Sequence, residues 1–325
     1  MVVQTVLGPV PVSEIGFTLP HEHVYAKLWL IPGRYDYAGQ IDNEDILVEE
    51  LGEFTVRGGS CLVDLTLPGI GRDPLRVADV ARRTGLHIVA GTGFYREPYY
   101  PPEARIDRRT VESIADEMVW EIEVGIGKTG IRAGIIGEIG TEKSWVSAQE
   151  ERVCRAAGRA QARTGAAITT HSVLGRVGLD QLDLFVAEGA DPRRVIIGHC
   201  DWIADLDYCQ TVIDRGASVA FDAFGHPDPY TRGLENMVCE FILELLRRGH
   251  ASQLLLSQDV CGVVNLKRFG GAGYSYVQER VIPQLLEGGA TEDHIRTMTV
   301  ENPRRLLAGP PRPPIGARPA GRATL

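Results

Sequence analysis

The chain has 325 residues, a length that suits one (β/α)8 barrel or two smaller domains. Hydrophobic residues make up 44% of it and charged residues 24%, values that exclude a wholly disordered chain and a fibrous one. The formal net charge of -9, from 34 basic and 43 acidic residues, argues against a nucleic-acid partner, because such binders are usually basic.

Membrane and secretion signals are missing from the sequence. No stretch approaches the ~20 apolar residues that span a bilayer. The first 16 residues lack the basic start and the apolar run of a secretory signal peptide. The six cysteines are scattered without a CxxC pair, which suits buried thiols better than a disulfide framework. We therefore expect a cytoplasmic protein that acts on a small molecule and has no membrane partner.

Strand-like and helix-like runs alternate along the chain. The strand-like runs are 16–23, 60–66, 87–93, 133–140, 166–171, 194–199, 217–222 and 253–259. Runs with helical spacing are 73–85, 110–126, 148–165, 178–190, 205–216, 234–249 and 274–289. The strand-like runs are continuously apolar, as a parallel sheet buried on both faces requires. The order predicts an α/β fold, a closed (β/α)8 TIM barrel.

An open doubly wound sheet is the alternative to the barrel. Such a sheet usually binds nucleotides through a glycine-rich first turn, and no GxGxxG follows a strand here. The glycine-rich segment 270–274 lies between the last strand and its helix and lacks that motif. We therefore predict a single barrel domain over 1–308. The remainder, 309–325, is rich in Pro and Arg, and we expect a disordered tail.

The segment His21-Glu22-His23 ends the first predicted strand. Residues i and i+2 of a strand point to the same side, so both imidazoles can face the barrel axis and bind one metal ion. A chance pair of histidines on a loop is the alternative. Further candidates end other strands, and strand ends at this mouth are where barrel enzymes keep their active sites. They are Glu138, His171, His199 and Asp259.

These six residues predict a binuclear metal site. Four imidazoles and two carboxylates suit two divalent ions, with Zn²⁺ favoured and Mn²⁺ or Co²⁺ as alternatives. Two such ions ~4 Å apart generate a hydroxide nucleophile at neutral pH. The competing interpretation is a set of buried, hydrogen-bonded side chains without metal. Asp64 and Asp222 also end strands, and either can orient a ligating imidazole or cap a loop.

The sequence resembles the phosphotriesterase family of the amidohydrolase superfamily. The matching segments run along nearly the whole chain in family order: TLPHEH (18–23), GIIGEIGT (134–141), ITTHS (168–172), IIGHCD (196–201), LSQDV (256–260), GGAGYSY (270–276) and ENPRRLL (301–307). The resemblance implies a distorted amidohydrolase-type barrel with the binuclear site at its C-terminal mouth. By analogy with the family, it also implies a homodimer.

The resemblance implies a role for each candidate ligand. His21 and His23 would hold the more buried metal with Asp259, and His171 and His199 the more exposed one. Many members bridge the two ions with a carboxylated Lys. Here Glu138 stands at that position, as in a known subgroup, and it predicts metal assembly without bicarbonate. Asp259 would be the catalytic general base, and a metal-bridging hydroxide would attack the substrate.

Departures from the family pattern narrow the substrate. Paraoxon-hydrolysing members carry a His after strand 7 and an Asp after the strand-6 His, where this chain has Ala223 and Trp202. The quorum-sensing lactonases usually carry Arg at the first position, which Ala223 also fails to match. Tyr95 does match a tyrosine that lines the lactonase site, although simple packing explains it equally well. His226, on the loop after strand 7, could touch the substrate.

Relatives that open phosphorylated sugar lactones need cationic anchors, because phosphate is best held by Arg or Lys. The candidates for substrate binding are Arg96, Arg232, Lys267 and Arg268, together with Tyr95. A solvated loop cation is the alternative for each.

We therefore expect a binuclear metal-dependent hydrolase that attacks a carbonyl, of a lactone or a carboxylic ester. A sugar lactone, with or without a phosphate, is the favoured substrate class. The alternatives are an amide or N-acyl hydrolase, an organophosphate triesterase, and a non-catalytic binder of small ligands.

Overall fold

The structure, a computed structural model, describes residues 1–28, 39–227 and 233–311. The predicted substrate residue Arg232 lies outside the described residues, as does the predicted tail from 312 onward. None of the helices in the described ranges is long and apolar enough to cross a membrane.

Eight parallel strands form the central sheet, each paired with the next in chain order. They are β1 (Phe17–Glu22), β2 (Gly59–Asp64), β3 (His87–Thr92), β4 (Ile135–Gly140), β5 (Ile168–His171), β6 (Val195–Ile197), β7 (Ser218–Phe221) and β8 (Leu254–Leu256). Each falls inside or within one residue of a predicted strand. The prediction of a TIM barrel is therefore confirmed.

Helices follow the strands on the outside of the sheet. They are α1 (Glu44–Val56), α2 (Pro74–Thr84), α3 (Val111–Glu123), α4 (Ala148–Thr164), α5 (Val177–Ala187), α6 (Leu206–Asp214), α7 (Glu235–Arg247) and α8 (Ile282–Glu287). Short polar side chains accept a backbone N–H at the start of five of them and so end the preceding loop. These caps are Asn43, Asp73, Thr110, Ser147 and Asp205.

Both faces of the strands are buried, which explains their continuous apolar sequence. In β2, Cys61 and Val63 belong to the cluster inside the barrel, whereas Leu62 packs in the cluster between strands and helices. Inward side chains of the other strands complete the interior cluster, among them Val89, Ile135, Ile196, Ala220 and Leu255. The lower half of the barrel is therefore a packed core, and polar chemistry is confined to the carboxyl ends of the strands.

The barrel closes between β8 and β1 through hydrogen bonds of the residues around their ends. The backbone N–H of Asp259 donates to the carbonyl of His21 at 3.2 Å, and the N–H of His23 donates to Val260 at 3.3 Å. The Ser257 hydroxyl bridges the same edge, since it lies 3.0 Å from both the N–H and the carbonyl of His21. This closure brings the two ends of the sheet, and their candidate ligands, to one place.

Several elements were not predicted from the sequence. Strand Val2–Thr5 pairs antiparallel with Gly8–Pro11 and with Ala308–Gly309. Val3 of this small sheet packs in the barrel interior beside Leu306. Other unpredicted elements include α1, the strand pair Ala26–Lys27 and Gln40–Ile41, the short helix Cys200–Ile203, the π-helical turn Thr297–Glu301, and the helices Glu292–Arg296 and Asn302–Leu307. The predicted helix over 274–289 is present as the π-helical turn Val277–Val281 followed by α8.

Candidate metal centre

The six side chains expected to bind metal lie together at the carboxyl ends of the strands, and all six are buried. They come from β1 (His21), the residue after it (His23), β4 (Glu138), β5 (His171), the loop after β6 (His199) and the loop after β8 (Asp259). The sequence placed each at a strand end, and the structure brings all of them into one cluster.

Glu138 lies at the centre of this cluster. Its two carboxylate oxygens face one nitrogen of each of the four imidazoles. The distances are 3.4 Å to His21 Nε2, 3.3 Å to His23 Nε2, 3.1 Å to His171 Nδ1 and 3.7 Å to His199 Nε2. Asp259 Oδ1 closes one side, 3.3 Å from His23 Nε2 and 3.8 Å from His21 Nε2. Glu138 is thus shared by two groups of donors, one with His21 and His23 and the other with His171 and His199.

Asp222, the residue after β7, holds two of the imidazoles from behind. Its Oδ1 accepts hydrogen bonds from His199 Nδ1 at 2.8 Å and from the His199 backbone N–H at 2.9 Å. Its Oδ2 lies 2.9 Å from His21 Nδ1. The charges of His199 and His21 outweigh the effect of burial and lower the pKa of Asp222 to about 2. Its predicted contact with ligating imidazoles is therefore present, and it directs both Nε2 atoms into the cluster.

His23 is held through a relay that the sequence indicated only in part. Its Nδ1 donates to the Thr66 hydroxyl at 3.0 Å, because that hydroxyl itself donates to Asp64 Oδ1 at 2.8 Å. Asp64 therefore acts on His23 through Thr66 rather than directly. The relay fixes the orientation of the His23 ring, so that its Nε2 faces Glu138 and Asp259.

Glu22, which lies between His21 and His23 at the end of β1, points away from the cluster. Its carboxylate accepts three hydrogen bonds of 2.8 Å, from the Ser257 hydroxyl and from the backbone N–H groups of Gln258 and Val260. These residues flank Asp259. Sequence reasoning missed the role of Glu22, although an acid on the outward side of an apolar strand was the available signal.

Two of the clustered residues have left-handed backbone conformations. His199 has φ of 59° and Asp259 has φ of 50°. Residues other than glycine adopt this region at a cost, and they do so most often where surrounding structure holds a functional side chain. Here the Asp222 and Glu22 contacts supply that surrounding structure.

The electrostatics of the cluster follow from opposite charges in a buried space. Burial would raise the pKa of Glu138, but the charge of His21 and hydrogen bonds from His171 and His199 hold it well below its usual range. Burial would lower the pKa of His23, but hydrogen bonds to Asp259 and Glu138 raise it to about 10. Burial and the neighbouring His199 lower the pKa of His171 to about 3. Burial would likewise raise the pKa of Asp259, but the hydrogen bond from His23 and the charge of His21 lower it. Both carboxylates are therefore anionic at neutral pH.

The donor set fits divalent cations. Within the described part of the chain, the buried His21 Nε2 makes no hydrogen bond, although it faces Glu138. His171 Nδ1 and His199 Nε2 lie only 2.7 Å apart, beside Glu138. Imidazole nitrogens and carboxylate oxygens that converge in one buried space are the donors that Zn²⁺, Mn²⁺ or Co²⁺ would take.

Tyr95 and Arg96 lie at the edge of this centre. The Tyr95 hydroxyl is 3.2 Å from His171 Nδ1. The Arg96 guanidinium stacks on the rings of Tyr95 and Tyr99 and pairs with Glu142 at 3.0 Å. Gly140 permits this arrangement, because a Cβ there would come within 2.6 Å of Arg96 Cγ. The loop after β3 therefore places an aromatic hydroxyl and a cation beside His171.

The structure does not bring Lys267 and Arg268 to the centre. The Lys267 ammonium pairs with Glu53 and Glu279, each at 2.6 Å. Arg268 pairs with Glu49 at 3.0 Å, on the outside of α1. Both cations join the loop after β8 to neighbouring helices, which is a structural use of the charges that their loop position could not reveal.

Ala223 and Trp202 stand where the paraoxon-hydrolysing relatives carry a proton relay, and both lie close to Asp201 or His226. Asp201 Oδ2 accepts the backbone N–H of Ala223 at 2.6 Å. Burial and the nearby Asp222 raise the pKa of Asp201 to about 7. The Trp202 ring lies between those of His199 and His226, at 6.4 and 5.8 Å. Ala223 and His226 also line a neighbouring cavity of about 310 Å³, which leaves space beside the centre.

The model of one protein family, described as the Phosphotriesterase family, matches residues 1–307. This chain belongs to the phosphotriesterase family. A relative named phosphotriesterase homology protein, from Escherichia coli, is 37% identical over 90% of this chain and 98% of its own length. An N-acetyltaurine hydrolase from Dictyostelium discoideum is 32% identical over 82% of this chain and 74% of its own.

Solved structures of similar proteins have the same fold. A resiniferatoxin-binding protein from Rhodobacter sphaeroides superimposes with a TM-score of 0.87 at 32% identity, over 94% of each chain. A lactonase from Listeria monocytogenes gives a TM-score of 0.85 at 26% identity, over 95% of this chain and 99% of its own. The proteins that this chain is similar to are thus named as a lactonase, as hydrolases and as a binding protein.

Proposed function

We propose that this protein is a binuclear metal-dependent hydrolase that attacks a carbonyl carbon, of a lactone or a carboxylic ester. The observation that carries the proposal is the convergence of four imidazoles on Glu138 and Asp259. Three of these imidazoles are oriented from behind by Asp222 or Thr66. Pre-oriented imidazoles around two carboxylates are what a hydrolytic metal centre needs.

Each clustered residue has a distinct part in the proposed reaction. His21, His23 and Asp259 would hold one ion, and His171 and His199 the other, with Glu138 between them. Two bound ions would supply a nucleophile at neutral pH and would polarise the carbonyl oxygen. Asp259 accepts the proton of the nucleophile, because its side chain is 12% exposed whereas that of Glu138 is 2% exposed. It then returns that proton to the leaving oxygen.

Tyr95 and Arg96 would orient the substrate. Tyr95 offers a hydroxyl 3.2 Å from His171 Nδ1, and Arg96 offers a cation held in place by two stacked rings. Arg96 also lies within electrostatic reach of Glu138 and His171. A guanidinium at this edge favours a substrate with a phosphate, sulfonate or carboxylate group. A phosphorylated sugar lactone has both a carbonyl that the nucleophile can attack and an anionic group that Arg96 can bind.

Hydrolysis of an N-acyl amide is the second candidate. It is favoured by the similarity to N-acetyltaurine hydrolases, which extends over 94% of this chain for the human protein. An N-acylated amino sulfonate would present the same two features as a lactone phosphate, a carbonyl and a strong anion. The two candidates therefore differ in the leaving group and not in the residues that would hold them.

Two further candidates receive less support. Triester hydrolysis of the paraoxon kind lacks its proton relay, because Ala223 and Trp202 stand at the relay positions. A non-catalytic binder would have no need for a complete cluster with oriented imidazoles. A homodimer and a cytoplasmic location remain predictions, which light scattering and fractionation can check.

The first test is the metal content of protein purified without added metal or bicarbonate. We expect about two transition-metal ions per chain, since Glu138 needs no carboxylation to become an anion. Glu138→Gln and Asp259→Asn are expected to lower hydrolysis by at least about 100-fold, the low end of what a general base or a ligand contributes. The substrates are lactones, sugar-lactone phosphates, esters, N-acyl amides and triesters.

Each result has a clear meaning. Full activity in either variant with metals present would overturn the mechanism. A chain that stays free of metal after incubation with Zn²⁺, Mn²⁺ and Co²⁺ would overturn the metal centre itself. Turnover of N-acyl amides but not of lactones would replace the first candidate with the second.

A further inference from the structure

A second group of metal-binding side chains lies at the rim of the cluster. It consists of His226, on the loop after β7, and Asp259 and Cys261, on the loop after β8. One donor atom from each lies within 4.8 Å of the other two. His226 Nε2 is 3.7 Å from Cys261 Sγ. We call this group the rim site.

The rim site differs in chemistry from the cluster beneath it. The six clustered side chains are imidazoles and carboxylates, whereas the rim site adds a sulfur donor. A thiolate, an imidazole and a carboxylate with one open position form a tetrahedral set that Zn²⁺ and the softer Cd²⁺ accept well. Mg²⁺ and Ca²⁺ prefer oxygen donors and therefore bind weakly to such a set of side chains.

Access to the rim site is open from the barrel mouth. Cys61, Cys154, Cys200, Cys209 and Cys239 are buried, whereas Cys261 is partly exposed. His226 is also partly exposed and lines the cavity of about 310 Å³ beside Ala223. A cation from solution can therefore reach both donors without passing through the cluster.

We infer that His226, Asp259 and Cys261 bind a third, thiophilic divalent ion, and that this ion inhibits the enzyme. On binding, the Cys261 thiol releases its proton to solvent as the sulfur–metal bond forms, with no change of oxidation state. Inhibition rests on the proposed function, because the ion occupies the Asp259 carboxylate that would accept the proton of the nucleophile. Binding of the ion does not rest on it.

The test is a titration of the metal-loaded protein with cadmium chloride, followed by the sulfur-to-cadmium charge-transfer absorption in the near ultraviolet. The cluster contains no sulfur, so this absorption reports on cysteine alone. We expect it to saturate with about one further ion per chain. It should disappear in Cys261→Ser. In His226→Asn the affinity should fall by more than the ~10-fold that loss of an orienting partner costs.

Matched controls use residues outside the rim site. Cys239→Ala removes a buried thiol of α7, and His250→Asn removes a half-buried imidazole that contacts Gln210. Both should leave the titration unchanged. Absence of the band in the parent protein, or its persistence in Cys261→Ser, would overturn the rim site. An unchanged affinity in His226→Asn would reduce the site to a cysteine alone and would also overturn it.

Inhibition is measured separately, as hydrolysis at rising Zn²⁺ after the cluster is filled. The parent protein should lose activity with excess Zn²⁺, and Cys261→Ser should resist it. If no substrate is turned over, the proposed function fails while the cadmium titration still decides the rim site. Equal inhibition of both proteins would refute the inhibitory role.

Discussion

Asp222 sets the direction of two imidazoles with a single carboxylate. Its two oxygens face different rings, His199 through Oδ1 and His21 through Oδ2. It is fully buried, so neither contact is weakened by water. An asparagine of the same shape has one acceptor oxygen and one donor nitrogen, so it can accept from one ring only.

We therefore expect Asp222→Asn to lower metal affinity by about 10- to 100-fold and to lower hydrolysis with it. Isothermal titration and turnover at saturating metal measure the two effects. Asp214→Asn is the matched control, because Asp214 contacts Gln210 on an exposed helix surface. Unchanged metal affinity in Asp222→Asn would show that the rings keep their directions without the carboxylate.

Arg96 gives a prediction about substrate charge. Arg96→Met keeps an apolar stem against Tyr95 and Tyr99 but removes the cation. We expect KM for an anionic lactone or N-acyl amide to rise about 10-fold or more, the loss of one charge-assisted hydrogen bond, while neutral esters are unaffected. Steady-state kinetics measure this split. Arg268→Met, at an exposed pair with Glu49, is the control and should change neither value.

The residues of the centre were largely predictable, and those around it were not. Strand-end position alone identified His21, Glu138 and Asp222, because parallel strands place their carboxyl ends at one mouth. Lys267 had the same loop position, yet its charge serves Glu53 and Glu279. Position along a chain fixes which end of a barrel a residue occupies, but the direction of a long side chain depends on partners from distant segments.

At the level of elements, Glu22 fastens β1 to the loop after β8. One carboxylate receives the Ser257 hydroxyl and two backbone N–H groups on either side of Asp259. Strand alternation explains the arrangement, since His21 and His23 face the axis while the residue between them faces the neighbouring strand. His21 and His23 thus present two imidazoles to the cluster, and the Glu22 carboxylate between them joins β1 to the loop after β8.

Glu22→Gln should destabilise this edge. The amide nitrogen would face a backbone N–H or the Ser257 hydroxyl, so at least one buried donor loses its acceptor. We expect the free energy of unfolding to fall by about 1–3 kcal/mol, as measured with urea, and turnover to fall as Asp259 loses its support. Glu14→Gln, at an exposed position, is the comparison. Wild-type stability in Glu22→Gln would show that the hydrogen bonds of Glu22 do not stabilise this edge.

The eight strands were predictable because each is a short apolar run bounded by polar residues. The small sheet of Val2–Thr5, Gly8–Pro11 and Ala308–Gly309 was not, because its strands are only two to four residues long. Its two ends also come from opposite ends of the described chain. Such pairing depends on the closed barrel, which brings those segments together beneath the core.

At the scale of the whole molecule, the candidate metal centre draws its side chains from the start, middle and end of the sheet. Its donors come from β1, β4, β5 and the loops after β6 and β8, so bound ions would connect elements that unfolding separates. Ligands that bind only the folded state stabilise it by mass action.

Removal of metal should therefore lower the melting temperature. With free ion about 100 times above its Kd, the stabilisation is about 2.7 kcal/mol, or about 4 °C for a chain of this length. Calorimetry before and after dialysis against a chelator measures the difference. Leu306→Ala, in the interior cluster, should lower the melting temperature with and without metal and leave the difference between the two unchanged. Equal melting temperatures with and without metal would contradict a bound centre.

The hydrogen bonds of Glu22 to the loop after β8 also bear on the order of folding during synthesis. One of them joins Glu22 to Ser257, 235 positions later, so β1 leaves the ribosome long before its closing partner exists. A nascent chain that ends before residue 259 lacks Asp259, Val260 and the Ala308–Gly309 strand of the small sheet. The open edge of β1 must stay unpaired until then, which is the period of greatest exposure to aggregation. Binding of metal by the complete set of six side chains would therefore follow synthesis of the last strand.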